Sequence, residues 1–318
     1  GGGGIFNAGG TLMVQNGTTI SNNVANGAAG SGGGILNDLG TLTVMNSDIT
    51  GNTSVRAGGG IEENSAMGNL LILSNTNLTG NDTSMAPGNG GGLHITGPGD
   101  SDITGGIVSG NSASREGGGL WNGSGIMTLD AVTIDNNTAT GDAADDGGAG
   151  IFNNGGTLNV TNGTIVSNNI ASGSSASGGG LLSTTGDVTV TDSTFDGNSA
   201  NRAGGAIEII DGNLFFLNSV MSDNDVDGGA GTANPGNGGG FHVTGTSVLI
   251  TISGSTITGN AAANEGGGLW NQNGTTMNVS ASTIDGNSAA SGAGIYNNTG
   301  AVTYVLTSTI SGNVSSGS

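Results

Sequence analysis

Apolar and polar residues alternate along this chain in short runs, and the runs recur. Leu12 and Val14 flank Met13, Leu42 and Val44 flank Thr43, Leu158 and Val160 flank Asn159, and Val188 and Val190 flank Thr189. A period of two predicts strands with one set of side chains inward and the other outward. Each run follows a glycine cluster and a single aliphatic residue, as in Gly32-Gly33-Gly34-Ile35. Each unit closes on an Ile-x-x-Asn, as in Ile49-Thr50-Gly51-Asn52. The glycine-led aliphatic or aromatic positions are Ile5, Ile35, Ile61, Leu93, Leu120, Ile151, Leu181, Ile207, Phe241, Leu269 and Ile295, spaced 26 to 34 residues apart. Regular self-similarity at this period signals a solenoid. The stretch from this position to the closing Asn is nearly constant in length. The variation falls in the loop after it, short from Asn111 to Leu120 and long from Asn224 to Phe241.

The predicted fold is all-β: a single-stranded parallel β-helix, or β-solenoid, of about eleven coils. Strands this short cannot stand as isolated hairpins. Stacked in parallel at roughly 4.8 Å per coil they make a rod on the order of 50 Å long. Glycines suit the corners, where positive φ or close backbone approach is needed.

A longer repeat overlies the coil. Gly147 to Asn153 restarts the sequence of Gly1 to Asn7, Arg56 to Glu62 returns as Arg202 to Glu208, and Pro87-Gly88-Asn89 returns as Pro235-Gly236-Asn237. Glu116 to Asn122 returns as Glu265 to Asn271. The chain reads as one continuous solenoid over 1–318. It comprises a five-coil module at 1–146, a second at 147–291, and the first coil of a third at 292–318. Neither end reads as a cap, and the chain opens in mid-pattern without a signal peptide, as a slice of a longer array would. Bare coils predict tandem continuation or end-to-end stacking on copies of the same chain.

Composition narrows the choice of function. Apolar content is 33% and aromatic content 3%, enough for the narrow core of stacked coils. The 69 glycines follow no three-residue period, which excludes collagen. The formal net charge is −20, with no lysine and with Arg56, Arg115 and Arg202 as the whole basic complement. This excludes a nucleic-acid partner. No apolar run approaches membrane-spanning length, so membrane insertion is not expected.

Three groups of residues invite a role. The closing asparagines Asn23, Asn52, Asn81, Asn111, Asn137, Asn169, Asn198, Asn224, Asn260, Asn287 and Asn313 form an unbroken column, expected as a structural ladder of amides that donate and accept coil to coil. The residues after the glycine-led positions spell Phe6, Leu36, Glu62, His94 and Trp121, then Phe152, Leu182, Glu208, His242 and Trp270, then Tyr296. Period-two alternation places this column outward, as an exposed stripe for binding or packing. A loop laid over it would instead make it local core. Asp223, Asp225 and Asp227, followed by Gly228, space acidic oxygens as a calcium turn would. No cofactor is required, and calcium is the candidate ion. In the column after the Ile of Ile-x-x-Asn, acids occur at Asp135, Asp196 and Asp285, never on adjacent coils, so paired-carboxylate hydrolysis is not expected.

Gly204-Gly205-Ala206-Ile207 and Phe195-Asp196-Gly197-Asn198 resemble the paired repeats of chlamydial polymorphic outer-membrane proteins. More broadly, the chain resembles bacterial surface proteins of the pectin-lyase-like parallel β-helix superfamily. The resemblance implies a right-handed helix, an extracellular or cell-surface location, and a role in adhesion or as a stalk. It carries over no catalytic residue. The expected function is a structural rod, stalk or filament whose partners are copies of itself. An adhesin binding glycans or a neighbouring cell surface along the stripe is the alternative, and a polysaccharide-active enzyme the third reading.

Overall fold

The computed structural model describes residues 1–226, 234–246 and 248–317. Within them the chain is all-β and winds as a parallel β-solenoid. Three sheets run its length, each of eleven strands in sequence order. The first contains the glycine-led strands, such as Ile35–Asp38 and Leu120–Asn122. The second holds the alternating runs, such as Thr41–Met45 and Thr157–Thr161. The third holds the three-residue strands before the closing Asn, such as Asp48–Thr50 and Thr194–Asp196. Neighbouring coils pair in register, as in Leu42 opposite Leu12 and Ile49 opposite Ile20.

Register stacks like on like, and the inward columns merge into one core. Ile35, Leu42, Val44 and Ile49 belong to it in one coil, and Leu181, Val188, Val190 and Phe195 in another. A second, narrower core of small side chains, including Ala139, Ala171 and Ala200, fills the corner beyond the closing Asn. It accompanies a fourth line of pairing that sequence reading did not anticipate. Two-residue strands such as Thr53–Ser54 and Thr138–Ala139 follow the ladder asparagines and pair coil to coil.

Two corners explain the glycine pattern. The residue before each ladder Asn has positive φ in all eleven coils and is always Gly, Asn or Asp, from Asn22 (φ 56°) to Gly312 (φ 61°). These residue types tolerate the left-handed region best. In the glycine run the first residue takes positive φ, as at Gly58 (61°) and Gly117 (63°). The next two are small, glycine in most coils and alanine at Ala149, Ala206 and Ala293, because the space there is tight. A Cβ on Gly91 would lie 2.3 Å from Gly118 O and 2.4 Å from Ser112 O.

The asparagine ladder is continuous. Each Nδ2 donates to Oδ1 of the next coil's Asn, from Asn23 to Asn52 (2.9 Å) through Asn137 to Asn169 (2.9 Å) to Asn287 and Asn313 (2.8 Å). The same Oδ1 accepts the backbone N–H of the preceding Asn, as from Asn52 to Asn81 at 3.0 Å. The second amide proton goes to a carbonyl of the preceding coil, as from Asn52 Nδ2 to Ile20 O at 2.9 Å. From Asn52 to Asn287 the side chains are fully buried, so each polar atom needs such a partner.

Candidate functional site

The column read as an exposed stripe is covered over most of its length. Glu62, His94, Trp121, Phe152, Leu182, Glu208, His242 and Trp270 are each at most 8% exposed. Phe6 is exposed, and Leu36 and Tyr296 are half-buried. These side chains do leave the outer face of the first sheet, as alternation requires. The positive-φ glycine at the corner, however, turns the preceding segment back over them. A Cβ on Gly90 would lie 2.5 Å from His94 Cβ, and Trp121 Nε1 donates to Glu116 Oε2 at 3.0 Å. Trp270 and Glu265 repeat that bond at 3.0 Å. The expectation of a solvent-facing aromatic platform is therefore corrected: the stripe is a satellite core, with Trp121, Phe152 and Leu182 clustered and Ile210 packed on them.

Within that core the rings stack along the axis. His94 lies 4.2 Å from Trp121, and Trp121 lies 6.0 Å from Phe152. His242, Trp270 and Tyr296 repeat the arrangement at 4.2 and 6.3 Å. Each histidine faces a glutamate of the previous coil. His242 Nδ1 lies 2.8 Å from Glu208 Oε2 in a hydrogen bond, and Thr244 Oγ1 donates to Glu208 Oε1. In the first module Thr96 Oγ1 donates to Glu62 Oε1 at 2.7 Å. His94 Nδ1 lies 2.9 Å from Glu62 Oε2, but Oε2 is left without a hydrogen bond. Behind the tryptophan, Arg115 pairs with Asp146 at 2.7 Å and reaches Glu116 at 3.6 Å. Burial pushes the Glu116 carboxyl up, opposed by the Trp121 and Arg115 contacts.

The two copies of this arrangement differ in access. In the second module Glu208 is 0% and His242 2% exposed, with Ile210 two residues past the glutamate. In the first, the equivalent of Ile210 is Asn64 and the equivalent of Thr184 is Asp38, and these two bond to each other, Asn64 Nδ2 donating to Asp38 Oδ1 at 2.6 Å. A cleft of about 300 Å³ opens there, lined among others by Arg56, Glu62, His94 and Thr96. Sequence reading named Glu62 and His94 but did not group them with Asp38, Arg56 and Asn64. The signal lay in positions where the duplicated modules differ rather than agree.

The remaining candidates lie apart from this cleft. Asp223 is exposed with φ 53°, and the backbone of Asp225 bridges Ser199 and Ala261 in the fourth line of pairing. Asp227 lies outside the described residues. No group of three or more His, Cys, Asp or Glu side chains placed to hold a metal occurs among the described residues. Asp135 and Asp285 each accept a serine hydroxyl from the next coil, Ser167 at 2.9 Å and Ser311 at 2.7 Å, and Asp196 accepts from Ser222.

A second amide file also runs along the inner face of the first sheet. Asn7 donates to Asn37 at 2.6 Å, Asn122 to Asn153 at 2.8 Å and Asn271 to Asn297 at 3.0 Å. Between these links the column holds Glu63, Ile95, Ser183, Ile209 and Val243. Glu63 is 2% exposed and accepts Asn37 Nδ2 at 2.8 and 2.9 Å.

No protein-family model matches this chain, and no curated protein or solved structure is significantly similar to it. What the structure establishes is the architecture, a parallel β-solenoid with stacked asparagines.

Proposed function

We propose that this chain is a structural surface rod, a length of stalk or filament built by repeating one five-coil module, and that it does so without catalysis. One observation carries the reading: the joint between modules occurs twice inside the chain and is the same each time. At the first joint Leu120, Trp121 and Asn122 stand opposite Ile151, Phe152 and Asn153. At the second, Leu269, Trp270 and Asn271 stand opposite Ile295, Tyr296 and Asn297. Both amide files cross both joints, Asn122 to Asn153 and Asn137 to Asn169 at the first, Asn271 to Asn297 and Asn287 to Asn313 at the second. A module whose last coil accepts its own first coil supports extension without a length built into the sequence. Extracellular placement and self-association end to end belong to the same proposal. The glycan-binding alternative loses its main support, since the aromatic residues meant as a platform are mostly covered.

The test is to insert a further copy of residues 147–291 at the module boundary and measure particle length by electron microscopy, with and without calcium. We expect a single cooperative fold and a rod longer by about 24 Å, five coils at roughly 4.8 Å each. Fibres with an axial repeat of whole modules would support end-to-end stacking. A particle that aggregates or unfolds on insertion overturns the modular reading.

A further inference from the structure

We propose that the cleft of the first module binds a small zwitterion, a free α-amino acid or a dipeptide, with its ammonium held by Glu62 and Asp38 and its carboxylate by Arg56. The first support is a buried carboxylate with an ill-aligned partner. Glu62 is 6% exposed, and its Oε2 lies 2.9 Å from His94 Nδ1 without hydrogen-bond alignment, while the same oxygen of Glu208 is hydrogen-bonded by His242 at 2.8 Å. A buried carboxylate oxygen with a poorly aligned donor has capacity for a better one, and a cationic N–H meets it best.

The second support is Arg56. It is exposed, it lines the cleft, and it forms no ion pair among the described residues. A guanidinium presents donors in the planar fork that fits a carboxylate. Charge then decides between ligand classes. The lining carries one guanidinium, Arg56, against two carboxylates, Asp38 and Glu62. The chain as a whole carries −20, so an anion is repelled on approach. A simple cation would leave Arg56 without a partner. A zwitterion serves both ends of the cleft and carries no net charge. The volume, about 300 Å³, is at the small end of ligand pockets.

The third support is the second module, where the corresponding Glu208 and His242 are more deeply buried than Glu62 and His94. Ile210 replaces Asn64 and packs into the stripe. Substitution of Asn64 by Ile therefore installs a side chain that this scaffold already accommodates one module on.

Isothermal titration of the full chain tests this with L-alanine and glycylglycine, beside N-acetyl-alanine, which lacks the ammonium, and alaninamide, which lacks the carboxylate. Galacturonate and glucose serve as sugar controls. We expect saturable binding of alanine or glycylglycine, at least tenfold weaker for each blocked analogue, and lost in both Asn64→Ile and Arg56→Ala. The thermal transition of Asn64→Ile reports that it folds, and exposed Arg56→Ala gives an independent variant. Absence of saturable binding at millimolar ligand overturns the proposal. So does equal binding of a blocked analogue or a sugar, or binding that survives in both variants.

Discussion

Glu63 shows how a single side chain can set the pH response of a repetitive fold. Its carboxyl is pushed up to about 7 chiefly by burial, with the Asn37 hydrogen bond opposing and the nearby Glu62 charge adding. Between its ordinary value of 4.5 and about 7 the folded chain keeps a proton that the unfolded chain releases. Stability contributed here therefore falls as pH rises through that window and is flat above it, by at most about 3 kcal/mol. Glu63→Gln is expected to flatten the pH dependence of urea unfolding and to be more stable than the parent at pH 8. In the main ladder, Asn137→Ala removes the acceptor for both N–H groups of Asn111 and the donor to Asn169. Its cost is expected at about 3–5 kcal/mol by the same measurement, as buried groups lose their partners. That ladder was legible in the sequence because one residue type recurs in every coil. The second file was not, since Glu63, Ile95, Ser183, Ile209 and Val243 interrupt it and only register joins Asn37 to Asn7 or Asn153 to Asn122.

At the scale of the element, corners rather than strands carry the specificity. A methyl group on Gly91 meets backbone on two sides, whereas one on Gly163 meets nothing within 4 Å. Gly163 does have φ 79°, so alanine there still carries backbone strain. Gly91→Ala is expected to destabilise by about 1–3 kcal/mol, since neighbouring backbone must shift as it does around Ala149 and Ala293 at the same position of other coils, and Gly163→Ala by about 1 kcal/mol. Thermal melting of the two variants checks the contrast. Strand positions and inward columns could be read from alternation, because side-chain direction follows from local geometry. Burial of the stripe could not. Whether Trp121 meets water depends on where the segment ending at Glu116 lies, and that is set by a glycine turn and a long-range hydrogen bond rather than by spacing. The cleft was hidden for a related reason: duplication draws attention to what is copied, while Asp38 and Asn64 matter because Thr184 and Ile210 are not copies of them.

At the scale of the whole molecule the fold is a column of equivalent joints, and the module boundary is no weaker in its bonding than any other coil step. Solenoids of this kind are stabilised by nearest neighbours. The inserted-module chain is accordingly expected to unfold in one transition no lower in temperature than the parent, as calorimetry would show. The asparagine ladder adds a property that no single coil has. Backbone dipoles in a sheet alternate and largely cancel. The ladder amides do not, since every Asn-to-Asn bond runs from Nδ2 to the Oδ1 on the C-terminal side. With about 3.5 D per amide, the file sums to a moment on the order of 30 D along the axis. The rod is thus a vector: one terminus offers acceptors and the other donors, so a continuing neighbour meets it tail to head and never head to head. Any fibre grown this way has a plus end and a minus end, and gold labels on one terminus should all point in the same direction along it.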